Sequence, residues 1–560
     1  MGYSDDFVDP ETGEADGEGG IRSSGDSDAR MTKSFGDDLL VGHACCVVVP
    51  IAFGALAIAL GQDANWDLRN YHWYNPYALL TGRFTFDLAP ASYYNSVLDV
   101  PLYLLAQHVP ARACGFLLGA VQGLNFIPLY VLALTALPRC GRWKRGSGAS
   151  IVASLGLIGG GGLSLVGTTF YDNVVSILVL SGLASVSRAM HNDVVTTNRA
   201  LVNAGLLIGA AVGMKLPTAI YGVGLIAACL NIGGRCVQRL SRTLSAGVAA
   251  FLAMLAFGGY WAWWLWSTFG NPIFPYFNNV FGSAMALSET YRDDRFVPLK
   301  FTDALILPFA LVADPSKVGE CYFIDVRLAL LYAIAAITFA WSLLARRWHV
   351  VRCPQPLSPQ LRFILTFFAF SYLMWLALFA VYRYVITLEM LAPVLIAALI
   401  ATWPIRQRPK SVVLIACALL LITSTRPGSW GRVDWGNHFV EVDVPQLSDP
   451  LRTMVLVVGY EPSSWVIPSF PPQVPFVRLQ GNSHSPDDGD VGLAREARIR
   501  VGKHQGIFYV LCAESEQALA RTVLARFELV PDFDSCEPVR SNLYAGLRLC
   551  PVQRREPMDK

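Results

Sequence analysis

One short stretch of the sequence concentrates residues that could take part in acid–base or charge-based chemistry. Residues 63–82 combine two carboxylates, a cation, a histidine and several aromatic rings, among them Asp63, Asp67, Arg69, Tyr71 and His72. Carboxylates next to basic side chains are typical of catalytic or binding sites. Trp and Tyr also concentrate where a membrane meets water, so an interfacial belt is the alternative interpretation.

Further candidates lie at the ends of apolar segments elsewhere in the chain: Asp172, Lys215, Asn271, Arg383 and Tyr384. A lysine or arginine at a helix end can also be a snorkelling anchor. An aspartate before a helix can be its N-cap, which is the alternative interpretation of Asp172. Asp87 and Asp99 precede helix-like stretches and are predicted to be caps.

The composition indicates a polytopic membrane protein. Hydrophobic residues make up 53% of the chain, charged residues only 15%, and the mean hydropathy is +0.42. These values are too apolar for an ordinary soluble multidomain protein. The net charge of +2 gives no indication of a nucleic-acid partner. The cysteines form no CxxC pair, which argues against a structural zinc site.

Apolar segments of helical length recur along the chain and predict about eleven membrane spans. Their central portions contain almost no charged residues, and several are shorter than the ~20 residues that a perpendicular helix needs. The predicted spans are Leu39–Leu60, Arg112–Leu137, Ala149–Gly167, Val174–Ser187, Leu201–Met214, Thr218–Ile232, Ala246–Ser267, Val326–Ala345, Leu361–Tyr382, Val385–Trp403 and Val412–Ser424.

The distribution of basic residues predicts the orientation. If the N-terminus is cytoplasmic, every loop on that side is basic, as cytoplasmic loops are. The residues concerned are Arg139, Arg142, Lys144, Arg145, Arg188, Arg199, Arg235, Arg239, Arg242, Arg346, Arg347, Arg352, Arg362, Arg406, Arg408 and Lys410. The odd number of spans then places the C-terminus outside. We therefore expect a multi-pass protein of the plasma (inner) membrane, with loops 61–111 and 268–325 on its outer face.

The two ends of the chain differ from the apolar middle. Residues 1–38 are acidic and rich in Gly and Ser, which predicts a disordered cytoplasmic tail. Residues 425–560 contain two strand-like runs, Val455–Val458 and Phe508–Leu511, and an amphipathic helix, Glu514–Phe527. They predict a small extracytoplasmic α/β domain. On the oxidising side Cys536 and Cys550 could form a disulfide, with Cys512 and Cys321 as alternative partners.

Several of these motifs resemble those of the GT-C class of integral-membrane glycosyltransferases. Asp67-Leu-Arg-Asn-Tyr71, followed by Gly82-Arg83, is similar to the first outer loop of that class. The segment from Tyr260 to Asn278, with its aromatic helix end and Gly270-Asn271-Pro, resembles a second loop signature. Gly213-Met-Lys215 and Arg383-Tyr384 are similar to a lysine and an Arg-Tyr pair of the class. The resemblance covers approximately residues 39–424.

The resemblance implies a fold and a reaction. The expected fold is mainly α, a polytopic transmembrane helix bundle of GT-C type with the small C-terminal α/β domain. Asp67 would be the general base, with Asp63 as a competitor, and Asp172 would orient the acceptor. Lys215 and Arg383 would offset the charge of a leaving lipid phosphate. The remaining substrate-binding candidates are Arg69, Tyr71, His72, Asn271 and Tyr384.

The implied partners are a polyprenyl-phosphate-linked sugar donor, an acceptor hydroxyl on a glycan, lipid or protein, and membrane lipids, with inversion at the sugar. Many members of the class have Glu where this chain has Leu68. The resemblance therefore leaves the involvement of a divalent cation open and implies no other cofactor.

Two other functions are compatible with the sequence. The first is a transporter or flippase of lipid-linked or amphipathic substrates, although internal repeats and charges within the spans, which transporters usually have, are not evident. The second is a non-enzymatic assembly or sensory protein whose membrane part is only an anchor. About eleven spans exceed what an anchor needs.

Overall fold

The computed structural model describes residues 24–137, 145–190, 194–348, 353–482 and 484–555. Most of the predicted N-terminal tail, residues 1–23, lies outside these ranges, as do Arg139, Arg142, Lys144 and Arg352. Helix α1 is described from Ser24 and so includes residues 24–38 of that segment. Extending an existing helix gains one hydrogen bond for each residue that is added.

The membrane part is built almost entirely of helices. They are α1 (Ser24–Leu60), α2 (Tyr74–Thr81), α3 (Asp99–Ala106), α4 (Ala111–Gly123), α5 (Phe126–Ala136), α6 (Arg145–Leu157), α7 (Gly160–Ser164), α8 (Asp172–Ala189), α9 (Val194–Met214), α10 (Ala219–Leu230), α11 (Cys236–Phe269), α12 (Asn278–Phe281), α13 (Phe301–Ala313), α14 (Arg327–Trp348), α15 (Pro359–Leu378), α16 (Ile386–Thr402) and α17 (Gln407–Ser424).

A helix is present at each of the predicted spans. Among the described residues, 8 helical segments are long and apolar enough to cross a membrane. The chain is thus a multi-pass membrane protein. The predicted spans that do not reach this length and apolarity correspond to α6 with α7, to α8 and to α10. The second predicted span is divided at Leu124 and Asn125 into α4 and α5.

Helix α16 forms the centre of the bundle. Its side chains are buried on every face, from Ile386 to Ile400. A helix that is apolar all round is stable only when it is surrounded by other helices or by lipid. Helices α11 and α17, by contrast, expose large apolar side chains such as Phe251, Trp263 and Leu419. Contiguous exposed apolar surface of this kind is what a bilayer covers.

The C-terminal part is an α/β domain, as predicted. Its strands are β2 (Arg432–Val433), β3 (Val442–Asp443), β4 (Thr453–Val458), β5 (Phe476–Gln480), β6 (Ile507–Ala513), β7 (Leu529–Pro531), β8 (Glu537–Pro538), β9 (Arg540–Ser541) and β10 (Leu547–Arg554), and its helices are α18 (Gly492–Lys503) and α19 (Gln517–Ala525). The main sheet has the order β5-β4-β6-β10-β7, in which β4 is parallel to both β5 and β6. Cys536 and Cys550 form a disulfide, which confirms that pairing.

The main sheet is buried on both faces. Leu456 and Val458 pack with α18, α19 and the end of α11, whereas Val455 and Val457 pack against Trp73 and other side chains of the first loop. Side chains of a strand alternate between its two faces, so a strand covered on both sides reads as a continuous apolar run. The run Val455–Val458 therefore lies at the interface between the C-terminal domain and the first loop.

A buried ion pair fixes the first loop to this domain. Arg83 binds both carboxylate oxygens of Asp87 at 2.7 Å and donates to the carbonyls of Pro472 and Val474. Asp87 also accepts from the backbone N–H of Phe476 at 2.9 Å. Asp87, which was predicted to be a helix cap, is thus part of an interface. Strand β1 (Gln62–Asp63) pairs with β2 as a second connection.

We expect Asp87→Asn to lower the free energy of unfolding by about 3–5 kcal/mol, because it leaves the buried Arg83 without its counter-charge. Asp443→Asn is the matched control, since Asp443 and Arg540 form an exposed pair at 3.7 Å whose loss costs about 0–1 kcal/mol. Thermal unfolding of the two variants in detergent measures the difference. Equal melting temperatures would show that the ion pair does not hold the domain in place.

Candidate active site

Asp63 fixes the start of the first loop. Its side chain is fully buried and accepts hydrogen bonds from the backbone N–H and the hydroxyl of Thr169, both at 2.9 Å, and from the Asn65 amide at 2.8 Å. With its oxygens engaged in this way, Asp63 connects the first loop to the turn before α8. Because both oxygens of Asp63 already accept hydrogen bonds, Asp67 is the more suitable of the two candidates for a base.

Asp67 lies just before a π-helical turn, Leu68–His72. Its Oδ2 accepts from the Tyr71 hydroxyl at 2.7 Å and from Nη1 of Arg383 at 2.8 Å. No described residue donates to Oδ1. Burial raises the pKa of Asp67, but the charges of Arg383 and His72 and the two hydrogen bonds outweigh that effect, so its pKa lies below the usual value. The side chain is therefore a carboxylate at neutral pH.

Arg383 connects Asp67 to the second loop. Its Nε donates to Oε2 of Glu320 at 2.7 Å, while Nη1 binds Asp67. The guanidinium is 4.6 Å from the ring centre of Phe170 and 5.9 Å from that of Trp430. Aromatic faces at this distance attract a cation. Arg383 is thus held in place by two carboxylates and at least two rings.

A second ion pair lies beside the first. Nζ of Lys215 is 2.7 Å from Oδ1 of Asp172 and donates to the backbone carbonyl of Phe170 at 2.6 Å. Asp172 is the first residue of α8 and does not cap it through its side chain. The ring of Tyr384 lies near both cations, with its centre 5.9 Å from Nζ of Lys215 and 5.4 Å from the Arg383 guanidinium. The structure thus brings together the four residues expected to act in the reaction.

Asp172 keeps one carboxylate oxygen unused. Its Oδ2 is buried and has no hydrogen-bond partner among the described residues. Asp172 borders a cleft of about 210 Å³ that is also lined by Ser176, Thr218, Tyr221 and Tyr384. A buried carboxylate oxygen without a partner is costly unless something fills the site. A hydroxyl group or a water molecule in the cleft would give this oxygen a partner.

His72 lies at the edge of the cluster. Its Nδ1 is 2.6 Å from Oδ1 of Asp99, and its ring meets Tyr171 edge-on with 5.2 Å between centres. Burial raises the pKa of Asp99, and the His72 partner offsets part of this rise. Asp99, predicted to be a cap, begins α3 and fixes the His72 ring. No hydrogen bond joins His72 to Asp67 among the described residues.

Two predicted binding residues lie away from the charge cluster. Arg69 pairs with Glu461 of the C-terminal domain and stacks on Tyr544 at 4.9 Å. Asn271 is fully buried and donates to the carbonyl of Tyr276, so it shapes a turn of the second loop. The turn positions Tyr276 against Tyr94, whose ring lies 4.6 Å from that of Tyr71.

A buried carboxylate that the sequence analysis did not single out, Glu389, lies in α16, the helix that follows Arg383. Glu389 lies within the predicted span Val385–Trp403 and accepts from the backbone N–H groups of Gly161 at 3.0 Å and Gly162 at 2.8 Å. Asp325 accepts from Gly160 in the same way, at 2.7 Å. Backbone N–H groups of consecutive residues form a natural carboxylate site. Glu389 thereby ties α7 to the helix that follows Arg383.

Arg383 borders both clefts of the site. The second, about 250 Å³ including space open to solvent, is lined by Ser164, Glu320, Tyr382 and Trp430 among others. Both clefts are small, and part of their volume is open solvent, so a lipid-linked sugar needs more room than either cleft offers alone. Among the described residues, no group of three or more His, Cys, Asp or Glu side chains could hold a metal ion.

Glu320, Glu389, Trp430 and Tyr276 are the contributors that the sequence analysis missed. Glu320 lies in the predicted second loop, in the sequence Val318-Gly-Glu-Cys, and no neighbouring residue distinguishes it. Only its contact with Arg383, far along the chain, reveals it. For Glu389, a carboxylate inside an apolar segment was a usable signal, because such residues are rare in spans and usually have a partner.

Comparisons with known proteins show a likeness of structure. No protein-family model matches the chain, and no curated protein matches it in sequence. Among solved structures, ArnT from Cupriavidus metallidurans bound to undecaprenyl phosphate aligns at 13% identity and a TM-score of 0.40, over 92% of this chain and 97% of that one. The Archaeoglobus fulgidus oligosaccharyltransferase in the apo form aligns at 12% and 0.41, over 88% and 71%. Both are GT-C glycosyltransferases. At this level of similarity the alignments assign no residue of this chain a role.

We expect Gly161→Ala to destabilise the protein by about 1–3 kcal/mol, because core overpacking has costs of this size. An added Cβ would lie 2.7 Å from Oε2 of Glu389 and 2.8 Å from the Ile386 side chain. Gly247→Ala in α11 is the control, since its Cβ would meet nothing within 4 Å. Thermal unfolding of both variants in detergent tests the close approach. Equal stability of the two would mean that Glu389 does not pack on this turn.

Proposed function

We propose that the chain is a GT-C-type glycosyltransferase that moves a sugar from a polyprenyl-phosphate carrier to an acceptor hydroxyl. The observation that carries the proposal is a buried carboxylate, Asp67, with Arg383 and Lys215 nearby at one end of an apolar helix bundle. A lipid-anchored anion can reach such a site while its tail stays in the bilayer. Two cations beside a carboxylate supply both a base and a binding site for phosphate.

In this mechanism Asp67 is the general base. The acceptor hydroxyl donates its proton to Oδ1 of Asp67, the oxygen that no described residue occupies, as the acceptor oxygen forms a bond to the anomeric carbon. The bond from that carbon to the phosphate oxygen breaks, and its electron pair leaves with the phosphate. Attack from the face opposite the leaving group inverts the configuration. Positioned proton transfer of this kind contributes about 10²–10⁴-fold to a rate.

As the bond to the anomeric carbon breaks, negative charge develops on the leaving phosphate, and nearby positive charge stabilises it. Arg383 can bind two phosphate oxygens with its planar guanidinium, and Lys215 adds a second charge beside it. Such preorganised charge stabilises a transition state without reorganisation at the moment of reaction. The free Oδ2 of Asp172 would orient the acceptor hydroxyl in the adjacent cleft.

The membrane sidedness belongs to the same proposal. Helix α8 begins at the site with Asp172 and ends near Arg188, while α16 begins near Arg383 and ends before Arg406. Basic residues thus gather at the end away from the site, as the positive-inside bias predicts for the cytoplasm. The Cys536–Cys550 disulfide also suits an oxidising compartment. We therefore place the site and the C-terminal domain at the outer face of the plasma membrane, with an acceptor hydroxyl on a glycan, lipid or protein.

Replacing Asp67 tests the proposal directly. We expect Asp67→Asn to lower sugar transfer by about 10²–10⁴-fold, because the amide cannot accept the proton. Transfer from a polyprenyl-phosphate sugar is measured in proteoliposomes, and binding of polyprenyl phosphate is measured in parallel. Asp443→Asn should transfer at the wild-type rate. Undiminished transfer by Asp67→Asn would remove Asp67 as the base and with it the proposed mechanism.

The low pKa of Asp67 predicts the pH profile. A group whose pKa is depressed stays ionised until the pH falls through that lowered value, so Asp67 remains a carboxylate between pH 8 and pH 5. The phosphodiester of the donor does not titrate in this range either. We expect kcat/KM, which reports ionisations of the free enzyme and substrate, to show no loss of a base in this interval. A fall with an apparent pKa of 6 to 7 would indicate a different base.

A further inference from the structure

Glu320 binds Arg383, the cation to which the proposed function gives the donor phosphate. Its Oε2 lies 2.7 Å from Nε of Arg383, and Asp67 binds Nη1 of the same guanidinium at 2.8 Å. One cation therefore faces two carboxylates. Among the described residues, Arg295 is the one other cation within ion-pair distance of Glu320.

We propose that Glu320 and the donor phosphate compete for the same part of Arg383, and that the phosphate displaces Glu320 onto Arg295 when the donor binds. The inference rests on the proposed function and identifies the residue that the phosphate has to compete with. It makes Glu320 a residue that controls affinity and selectivity, separate from the base Asp67.

Arg295, the alternative partner of Glu320, already lies within ion-pair distance of it. Nη2 of Arg295 lies 3.8 Å from Oε1 of Glu320, and Arg295 also binds Asp293 at 2.7 Å. The Arg295 side chain is 67% exposed, so it is free to follow Glu320. A rotation of the Glu320 side chain moves its carboxylate from Arg383 to Arg295. Glu320 then still has a cationic partner, and Asp67 keeps Arg383.

The exchange needs no movement of the backbone. The carbonyl of Val318 accepts from the backbone N–H of Tyr382 at 2.8 Å, so the chain on either side of Glu320 and Arg383 is joined. The Gly319 N–H in turn bonds to the carbonyl of Pro315 at 2.9 Å. Glu320 therefore stays beside Arg383, and its side-chain torsions alone decide which cation it meets.

The arrangement discriminates between ligands by charge. A ligand displaces Glu320 only if it binds Arg383 more strongly than the carboxylate does. A phosphate can do so, because its several oxygens allow it to bind the guanidinium bidentately. A neutral sugar does not displace Glu320, because it brings no negative charge to replace the one that the buried Arg383 would lose. Arg383 is therefore available to phosphate ligands and closed to uncharged glycans.

The test is the affinity for phosphate ligands of Glu320→Gln, which keeps the size and the hydrogen bond to Arg383 but removes the charge. The probes are polyprenyl phosphate in nanodiscs of zwitterionic lipid and, separately, inorganic phosphate, both followed by tryptophan fluorescence. Trp430 lies 5.9 Å from the Arg383 guanidinium and serves as the reporter, with Trp430→Phe as the signal control. We expect Glu320→Gln to bind polyprenyl phosphate on the order of tenfold more tightly, since a like charge next to the ligand is gone. Glu320→Asp, which keeps the charge, should not.

A double-mutant cycle separates the exchange from a direct role of Arg295. Arg295→Gln should weaken binding several-fold in the wild type, because the displaced Glu320 loses its new partner, and should have no effect in the Glu320→Gln background. The side chain of Arg295 is largely exposed, so this variant is expected to fold. Equal weakening in both backgrounds would show that Arg295 binds the ligand itself and would overturn the exchange.

The remaining outcomes distinguish this inference from the proposed function. If polyprenyl phosphate binds the wild type and Glu320→Gln does not bind it more tightly, the exchange is wrong and the proposed function is untouched. If neither protein binds polyprenyl phosphate or inorganic phosphate, the proposed donor class is wrong and the inference falls with it. If neither protein binds polyprenyl phosphate but Glu320→Gln binds inorganic phosphate more tightly, the exchange stands, the site belongs to free phosphate and the proposed donor class is wrong.

Discussion

The ion pair between Asp67 and Arg383 is the constraint on which the rest of the site depends. The two residues are 316 positions apart in the chain, and both are largely removed from water. A buried charge without a partner is strongly destabilising, whereas a satisfied pair is nearly neutral. The fold therefore has to deliver both groups to one point with high accuracy. On the Asp67 side, the contact between Asp63 and Thr169 holds the first loop in place. On the Arg383 side, Glu389 binds the backbone of Gly161 and Gly162.

The same pair links the binding of an anion to the strength of the base. Asp67 has a low pKa chiefly because Arg383 lies against it, and a weakly basic carboxylate is a poor proton acceptor. A phosphate that draws the Arg383 charge towards itself weakens this effect, and its own negative charge raises the pKa of Asp67 further. In the proposed reaction the base would thus become more effective once the donor is in place. An unliganded site would hold a carboxylate that is ionised but hardly reactive.

The sequence predicted those parts of the molecule that local patterns encode. Apolar segments indicated the positions of the helices, the continuous apolar run Val455–Val458 indicated a buried strand, and the spacing from Asp67 to Gly82 indicated the first loop. Asp67, Asp172, Lys215 and Arg383 each lie next to a helix end, where sequence context is informative, and they do meet in the structure. Glu320 could not be predicted, because its role comes from one side-chain contact between distant segments. Arg69 and Asp87 were assigned other roles for the same reason, since Arg69 meets Glu461 and Asp87 meets the Phe476 N–H, both in the C-terminal domain.

The pairing of β1 with β2 has a consequence for how the protein is made. Gln62 and Asp63 leave the ribosome early, yet their strand partners, Arg432 and Val433, follow the last membrane helix. Arg383 and Trp430 are also synthesised late, so Asp67 waits without its cation through most of translation. A chain whose contacts are this distant in sequence folds slowly. It can misassemble until these contacts have formed. Interrupted synthesis would therefore leave an inserted bundle without an active site, a species that membrane quality control has to recognise and remove.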